Sequence, residues 1–367
     1  MTPFLDSIEA FLKRIFERIE QATAVSTEQL ACFRVFFGLL MLVYFLPSWS
    51  WLNDVPPAFF NPRIFSFAYL TDGYLPDIIY LLCDILAIIL LVCITLGIFT
   101  RKALLAMFVL SSILFSYALS FGKIDHYTNL FLIAYPALAF TNSGTRFALK
   151  KDKELSSATQ ARVLALLGIA IAFGFFTAGI PKLLYWVDFD LSSSGFLFWF
   201  YGVFLKDQHQ YLLSPYVFKL PYYVFEAMDY LAAIFEVVGF FFLYKGRKFW
   251  RMYLTIACTF HFLNLLTLNY GFTLNSLCFG IFIVAPVLAL LYRKYNSFLQ
   301  QYANYFILTI LGIALLKTVF LLWNNTGFRY HGYGPLLHLE HMVDLFLWSL
   351  TIFCGVYLLR SKSKSTH

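Results

Sequence analysis

The chain has 367 residues, of which 60% are hydrophobic, 20% aromatic and 13% charged, with a mean hydropathy of +0.73. A soluble domain carries about 25% charge, so this composition excludes an ordinary soluble enzyme and points to a polytopic membrane protein. The net charge of +7 needs no nucleic acid: Lys and Arg cluster between apolar runs, where they would face anionic lipid.

Residues 1–25 place Phe4, Leu5, Ile8, Phe11, Leu12, Ile15, Phe16 and Ile19 on one helical face, with Lys, Arg and Glu opposite. This reads as an amphipathic helix on the membrane surface, or one packed on a partner, ahead of a transmembrane domain over 26–360 and a short basic tail at 361–367. A span needs about 20 apolar residues. Ten segments meet or approach that length: 30–49, 78–98, 103–121, 126–141, 161–181, 225–244, 249–268, 274–292, 303–323 and 343–359. In lipid only helices satisfy such backbones without a closed barrel, so the expected fold is an all-α bundle. The stretch 194–205 is too short to span and its aromatics suit the interface. Nineteen of the 27 Lys and Arg fall in segments that a cytoplasmic N-terminus would place inside, and six in segments outside. The positive-inside rule then puts both termini in the cytoplasm.

Polar groups inside spans need a partner or a job. Arg34 stands four residues into the first span, where a buried pair with Asp84, Glu226, Asp229 or Glu236 outweighs a ligand contact. Glu236 is the deepest of these acids, and Lys317 is similarly deep. Lys182 ends the fifth span after ten uncharged residues, four before Trp186. Desolvation disfavours an ammonium, so an amine partly removed from water can serve as a general base. The plainer reading is a lysine snorkelling at the membrane boundary. His126 opens the fourth span, and His261 lies in the outer half of the seventh with Asn264 one turn on. Lys182, His126 and His261 therefore converge on the outer leaflet, at even odds between a chemical site and structural packing.

His331, His338 and His341 read as a solvated loop in preference to a metal site, and Asn324-Asn325-Thr326 matches a glycosylation sequon. The six cysteines fall inside spans with no CxxC pair, so they suggest neither disulfides nor a metal centre. No dinucleotide, Walker, serine-hydrolase or HExxH signature is present. Paired broken helices and a repeated acidic pattern, which would favour a transporter, are also missing.

The segment AGIPKLLYW around Lys182 resembles the lysine segment of the vitamin K-dependent γ-glutamyl carboxylases. FHFLNLLTLNYGFTLNSLCFGIFIVAP is similar to the family's FH-x-x-N helix and the helix after it, and IDHYTNLFLIAYPALAF to its histidine-bearing segment. VSTEQLACFRVFFGLLMLVYFL and LGIFTRK resemble the opening helices of the wider horizontally transferred transmembrane domain group, so the likeness runs over about residues 25–290. The resemblance implies a carboxylase that uses vitamin K hydroquinone or a related reduced quinone, with O2 and CO2 as co-substrates. In that family a lysine amine deprotonates the hydroquinone, and oxygen converts the quinol to its epoxide through a strongly basic alkoxide. The alkoxide removes a glutamate γ-proton and CO2 adds to the carbanion. Lys182 matches the catalytic lysine and His126 the assisting histidine, with His261 the third catalytic candidate. Trp186, Asn264, Arg34 and Glu236 are candidates for holding quinone or substrate. The implied partners are the bilayer, a lipophilic quinone and a secreted peptide or protein, and the implied location is a bacterial inner membrane, as in members without the lumenal domain. The alternative is a non-catalytic quinone- or lipid-binding module, or a helper in maturation or export of a secreted peptide.

Overall fold

The computed structural model describes residues 2–44, 49, 52, 55–71, 73–121, 129–188, 190, 192–206, 212–270, 272–324 and 335–361. Fourteen α-helices account for most of them, and no strand occurs among the described residues, which hold one isolated bridge between Ile98 and Lys150. Six helices are long and apolar enough to cross a membrane, and eight spans result if each of two bent helix pairs counts as one. The protein is thus a multi-pass, all-helical membrane protein in its architecture.

The chain forms two compact, interleaved units. One comprises residues 25–160 and 285–339. It contains α2 (Thr27–Val43), α3 (Asp77–Leu96), α4 (Thr100–Ala118), the short α5 (Asn129–Ala139) and α13 (Ala303–Asn324). Ser26 starts α2 through a reciprocal cap: its hydroxyl accepts from the Gln29 N–H at 3.3 Å, and the Gln29 side chain accepts from the Ser26 N–H at 3.0 Å. Helices α2 and α3 pack closely, and α4 packs on α3 and α5. Gly97 ends α3 with φ 72°, and a Cβ there would collide with the Arg34 guanidinium and with Ala148.

The other unit comprises residues 1–24, 161–284 and 340–367. It takes in α1 (Thr2–Thr23), most of α6 (Ser157–Tyr185), α7 (Gly195–Tyr201) and α8 (Ser214–Val217). It also holds α9 (Tyr222–Val237), α10 (Gly239–Lys245), α11 (Arg247–Leu268), the first part of α12 (Thr273–Gln301) and most of α14 (Pro335–Arg360). Helix α1 packs on α10 and α11, while its first turns leave Leu5, Phe11 and Leu12 exposed. Helices α9 and α10 meet at a 49° bend just past Val237. The core is a mass of rings: Phe235 lies 5.1 Å from Tyr253, and Trp250 5.6 Å from the same ring. Both pairs are stacked, and their burial supplies apolar area as well as the attraction between rings.

Candidate functional site

Lys182 lies in the last turn of α6. Its Nζ donates to both carboxylate oxygens of Glu236 on α9, each at 2.5 Å. The acid is almost wholly enclosed, with 4% side-chain exposure, whereas the lysine keeps 21%. Gly179 sets this geometry. A Cβ at that position would sit 2.7 Å from the Glu236 Cβ and 3.0 Å from Val237, so only glycine lets α6 approach α9 this closely. One turn later the helix presents Lys182 over the same stretch of α9. The charged group at the C-terminal end of an apolar helix thereby gains a partner inside the protein.

The Lys182 ammonium also lies 5.4 Å from the centroid of the Trp186 ring, a cation–π contact. Trp186 in turn covers Gly195, the first residue of α7, and packs against the buried cluster that includes Phe196, Phe200 and Phe225. Asp229, two turns before Glu236 on α9, caps α7 by accepting the N–H of Gly195 at 2.9 Å and of Phe196 at 2.7 Å. Its buried carboxylate thus has a defined structural task. Beside the lysine in the chain, Leu184 and Tyr185 remain exposed, at 69% and 77%, as does Phe198 on α7 at 84%. The outcome is an ion pair walled by α6, α7 and α9 and rimmed by apolar and aromatic surface suited to lipid.

His261 is buried in the ring core of the same unit. Phe272 lies 5.2 Å from it, Trp348 5.3 Å, Phe260 5.6 Å and Phe175 5.8 Å. It meets α6 at Phe175, two turns before Lys182, an axial offset of about 10 Å. Asn264 follows one turn on and is half-buried. His126 lies outside the described residues, as do His331 and most of the sequon, and His338 and His341 have no described side chains.

Arg34 belongs to the other unit and is fully buried. Its guanidinium donates to the carbonyls of Ile94 at 3.2 Å, Arg146 at 3.4 Å and Phe147 at 2.5 Å, and to the Thr100 hydroxyl at 3.4 Å. The expected carboxylate partner is replaced by backbone oxygens. The reason is local: the C-terminus of α3 offers the negative end of its dipole, and the left-handed Phe147, at φ 50°, turns its carbonyl inward. Asp84, one of the acids considered for Arg34, accepts the Trp49 N–H at 2.8 Å.

Of the residues singled out in the sequence, the structure brings together Lys182, Glu236 and Trp186. Sequence reasoning did not pair the first two, which lie 54 positions apart. The signal available was an acid deep in an apolar helix and a Gly-x-x-Lys spacing that lets two helices touch. Among the described residues no three His, Cys, Asp or Glu side chains gather as metal ligands, and all six cysteines are free thiols. No family model, curated protein or solved structure matches the chain.

Proposed function

We propose that the protein is a membrane enzyme of the vitamin K-dependent carboxylase type, in which Lys182 is the general base. The observation that carries this reading is the Lys182–Glu236 pair. In a low-dielectric setting, the carboxylate can take the ammonium's proton and leave a neutral amine beside the Trp186 ring. A lipophilic hydroquinone suits these residues: an aromatic face, an amine able to receive a phenolic proton, and an apolar rim open to lipid. When bound, the reduced quinone supplies, with O2, the strong base that the carboxylation of a glutamate side chain by CO2 requires. The neutral Lys182 amine accepts the hydroxyl proton and becomes an ammonium, Glu236 keeps the proton it took from the resting ammonium, and Trp186 with the α7 wall orients the ring and limits water. His261 shapes the ring core behind Phe175, and His126 is the assisting histidine by resemblance.

Around that site we infer ten spans, with both termini cytoplasmic, in a bacterial inner membrane. Support comes from the Lys and Arg distribution and from helices α5 and α11, each in a segment read as a span. The direct test incubates the purified protein with reduced vitamin K, a Glu-containing peptide and labelled bicarbonate. Quinone epoxide together with labelled peptide is the expected result; a well-folded sample yielding neither contradicts it. A second reading, quinone or lipid binding without turnover, draws on the same pair, because an ammonium held by two carboxylate oxygens also clamps α6 to α9. It predicts saturable quinone binding that survives Lys182→Ala, measured by quenching of Trp fluorescence.

A further inference from the structure

In the unit that holds α3 and α4, two lysines converge on one ring at a membrane face. Both helices are long and apolar enough to span, and only Gly97, Ile98 and Phe99 connect them. A second segment runs along this connection. The Leu149 N–H donates to the Leu96 carbonyl at 3.0 Å, the Lys150 N–H to the Gly97 carbonyl at 2.9 Å, and Lys150 forms the bridge to Ile98. This pairing brings the Lys150 ammonium to 4.0 Å from the centroid of the Phe99 ring. Lys102, in the first turn of α4, reaches the same ring at 6.0 Å. Two like charges from different segments therefore lie within 6.0 Å of one centroid. Phe99 itself is held at φ 49°, a left-handed conformation that a bulky side chain adopts only under constraint. Arg34 supplies part of that constraint, since it donates to the carbonyls of Ile94, Arg146 and Phe147 and so ties both segments together behind the turn.

The ring offsets these charges only in part. Ion pairs among the described residues join Arg146 and Arg293 to Glu28 and Lys182 to Glu236, and include neither lysine. Asp152, two residues beyond Lys150, is turned to the Arg101 N–H, which it accepts at 2.8 Å. Arg101 adds a further cation, its side chain held by the carbonyls of Ala139 and Lys153 at 3.0 Å each. Both lysines are exposed, and so are Phe99 at 48% and Leu149 at 59%. Apolar surface at a membrane face, flanked by two ammoniums without an acid, matches a lipid whose headgroup is negative. Its phosphate would bridge the amines while its chains lie against Phe99 and Leu149. A zwitterionic headgroup brings its own cation and leaves the excess charge in place. We propose that Phe99, Lys102, Leu149 and Lys150 form a binding site for an anionic phospholipid. The lipid fastens the α3–α4 turn to the segment beside it, and this role is independent of proton transfer at Lys182.

The test titrates the full chain in neutral-detergent micelles with dioleoyl phosphatidylglycerol and follows thermal unfolding and lipid adducts by native mass spectrometry. Dioleoyl phosphatidylcholine and glycerol phosphate are the comparisons. Phosphatidylglycerol is expected to raise the unfolding temperature saturably, and neither comparison to do so. Lys102→Gln/Lys150→Gln should weaken the apparent affinity ~30-fold, the loss of two cations from a site for charged lipid. Lys245→Gln/Lys248→Gln removes the same charge from exposed lysines of the other unit and should change it less than ~3-fold. All four side chains are exposed, so both variants should unfold at the parent's temperature when lipid is absent. Lys182→Ala should leave the lipid response intact, so failure of the carboxylase reading would not remove it. An equal response to phosphatidylcholine, a full response to glycerol phosphate alone, or equal weakening by the two double variants overturns the proposal. So does an undiminished response in Lys102→Gln/Lys150→Gln protein.

Discussion

Lys182 and Arg34 are both cations inside apolar helices, and they meet the cost of burial in different ways. Arg34 spreads its charge over three carbonyls and a hydroxyl. Arg34→Leu leaves those acceptors without a donor and should lower stability by about 3 kcal/mol, read as a fall in the unfolding temperature in detergent. Arg34→Lys should recover only part of that, because one ammonium cannot reach the acceptors that a planar fork spans. Lys182 depends on a single carboxylate, and the two partners are unequally enclosed, at 21% and 4% exposure. Removing the lysine strands a buried anion, whereas removing the acid strands a cation that already touches its surroundings. Lys182→Met should therefore cost more stability than Glu236→Gln, toward about 3–5 kcal/mol. The double variant Lys182→Met/Glu236→Leu should be more stable than Lys182→Met alone, and a double-mutant cycle on unfolding temperatures checks the sign of that coupling. At this scale the sequence marked Lys182, Glu236 and Trp186 as unusual, because charge inside an apolar run is visible without coordinates. It did not identify Arg34's partners: backbone carbonyls carry no side-chain signature, and their direction depends on the left-handed turn at Phe147.

The helices that hold the pair explain why the lysine finds its acid. Gly179 is the point at which α6 touches α9, and the bend after Val237 comes one residue past that contact. Gly179→Leu must push the helices apart and should cost about 2 kcal/mol while abolishing product formation. A useful control is Gly312→Ala on α13, where an added Cβ meets nothing within 4 Å. It should leave activity unchanged and raise stability by about 0.5–1 kcal/mol, through helix propensity alone. Among the described residues each apolar segment read from the sequence contains a helix, since hydropathy reports what the backbone must do in lipid. Contacts between helices are less legible. A glycine in an apolar run signals a close approach, but which helix approaches depends on packing across dozens of intervening residues. The break between α9 and α10 is likewise illegible, because residues 225–244 read as one span and Gly239 is the only glycine or proline in it.

For the whole molecule, the distribution of Lys and Arg supports the proposed orientation, in which Lys182 faces outward. Single cysteines at positions 153, 219 and 248, in a chain whose six native cysteines are replaced, give a direct reading. Positions 153 and 248 should react with a membrane-impermeant maleimide only after the inner face is opened, and position 219 in intact cells or spheroplasts. Equal labelling of 153 and 219 from one side would remove the outer-leaflet site. Six helices pass as spans by length and composition, and the gap to ten lies in particular elements. Helix α5 has eleven residues, and α11 carries Arg247, Lys248, Arg251 and His261. The sequence reads both as spans by apolar length, 126–141 being the shortest of the ten segments. The function itself rests on a different kind of sign, a short resemblance around one lysine together with the acid that the fold sets against it. The decisive measurement is carboxylation by Lys182→Ala protein, confirmed as folded, with and without added small primary amines. Loss of labelled peptide that is restored in a dose-dependent way by the amine is expected if Lys182 is the base. Undiminished labelling in the variant without amine would contradict it.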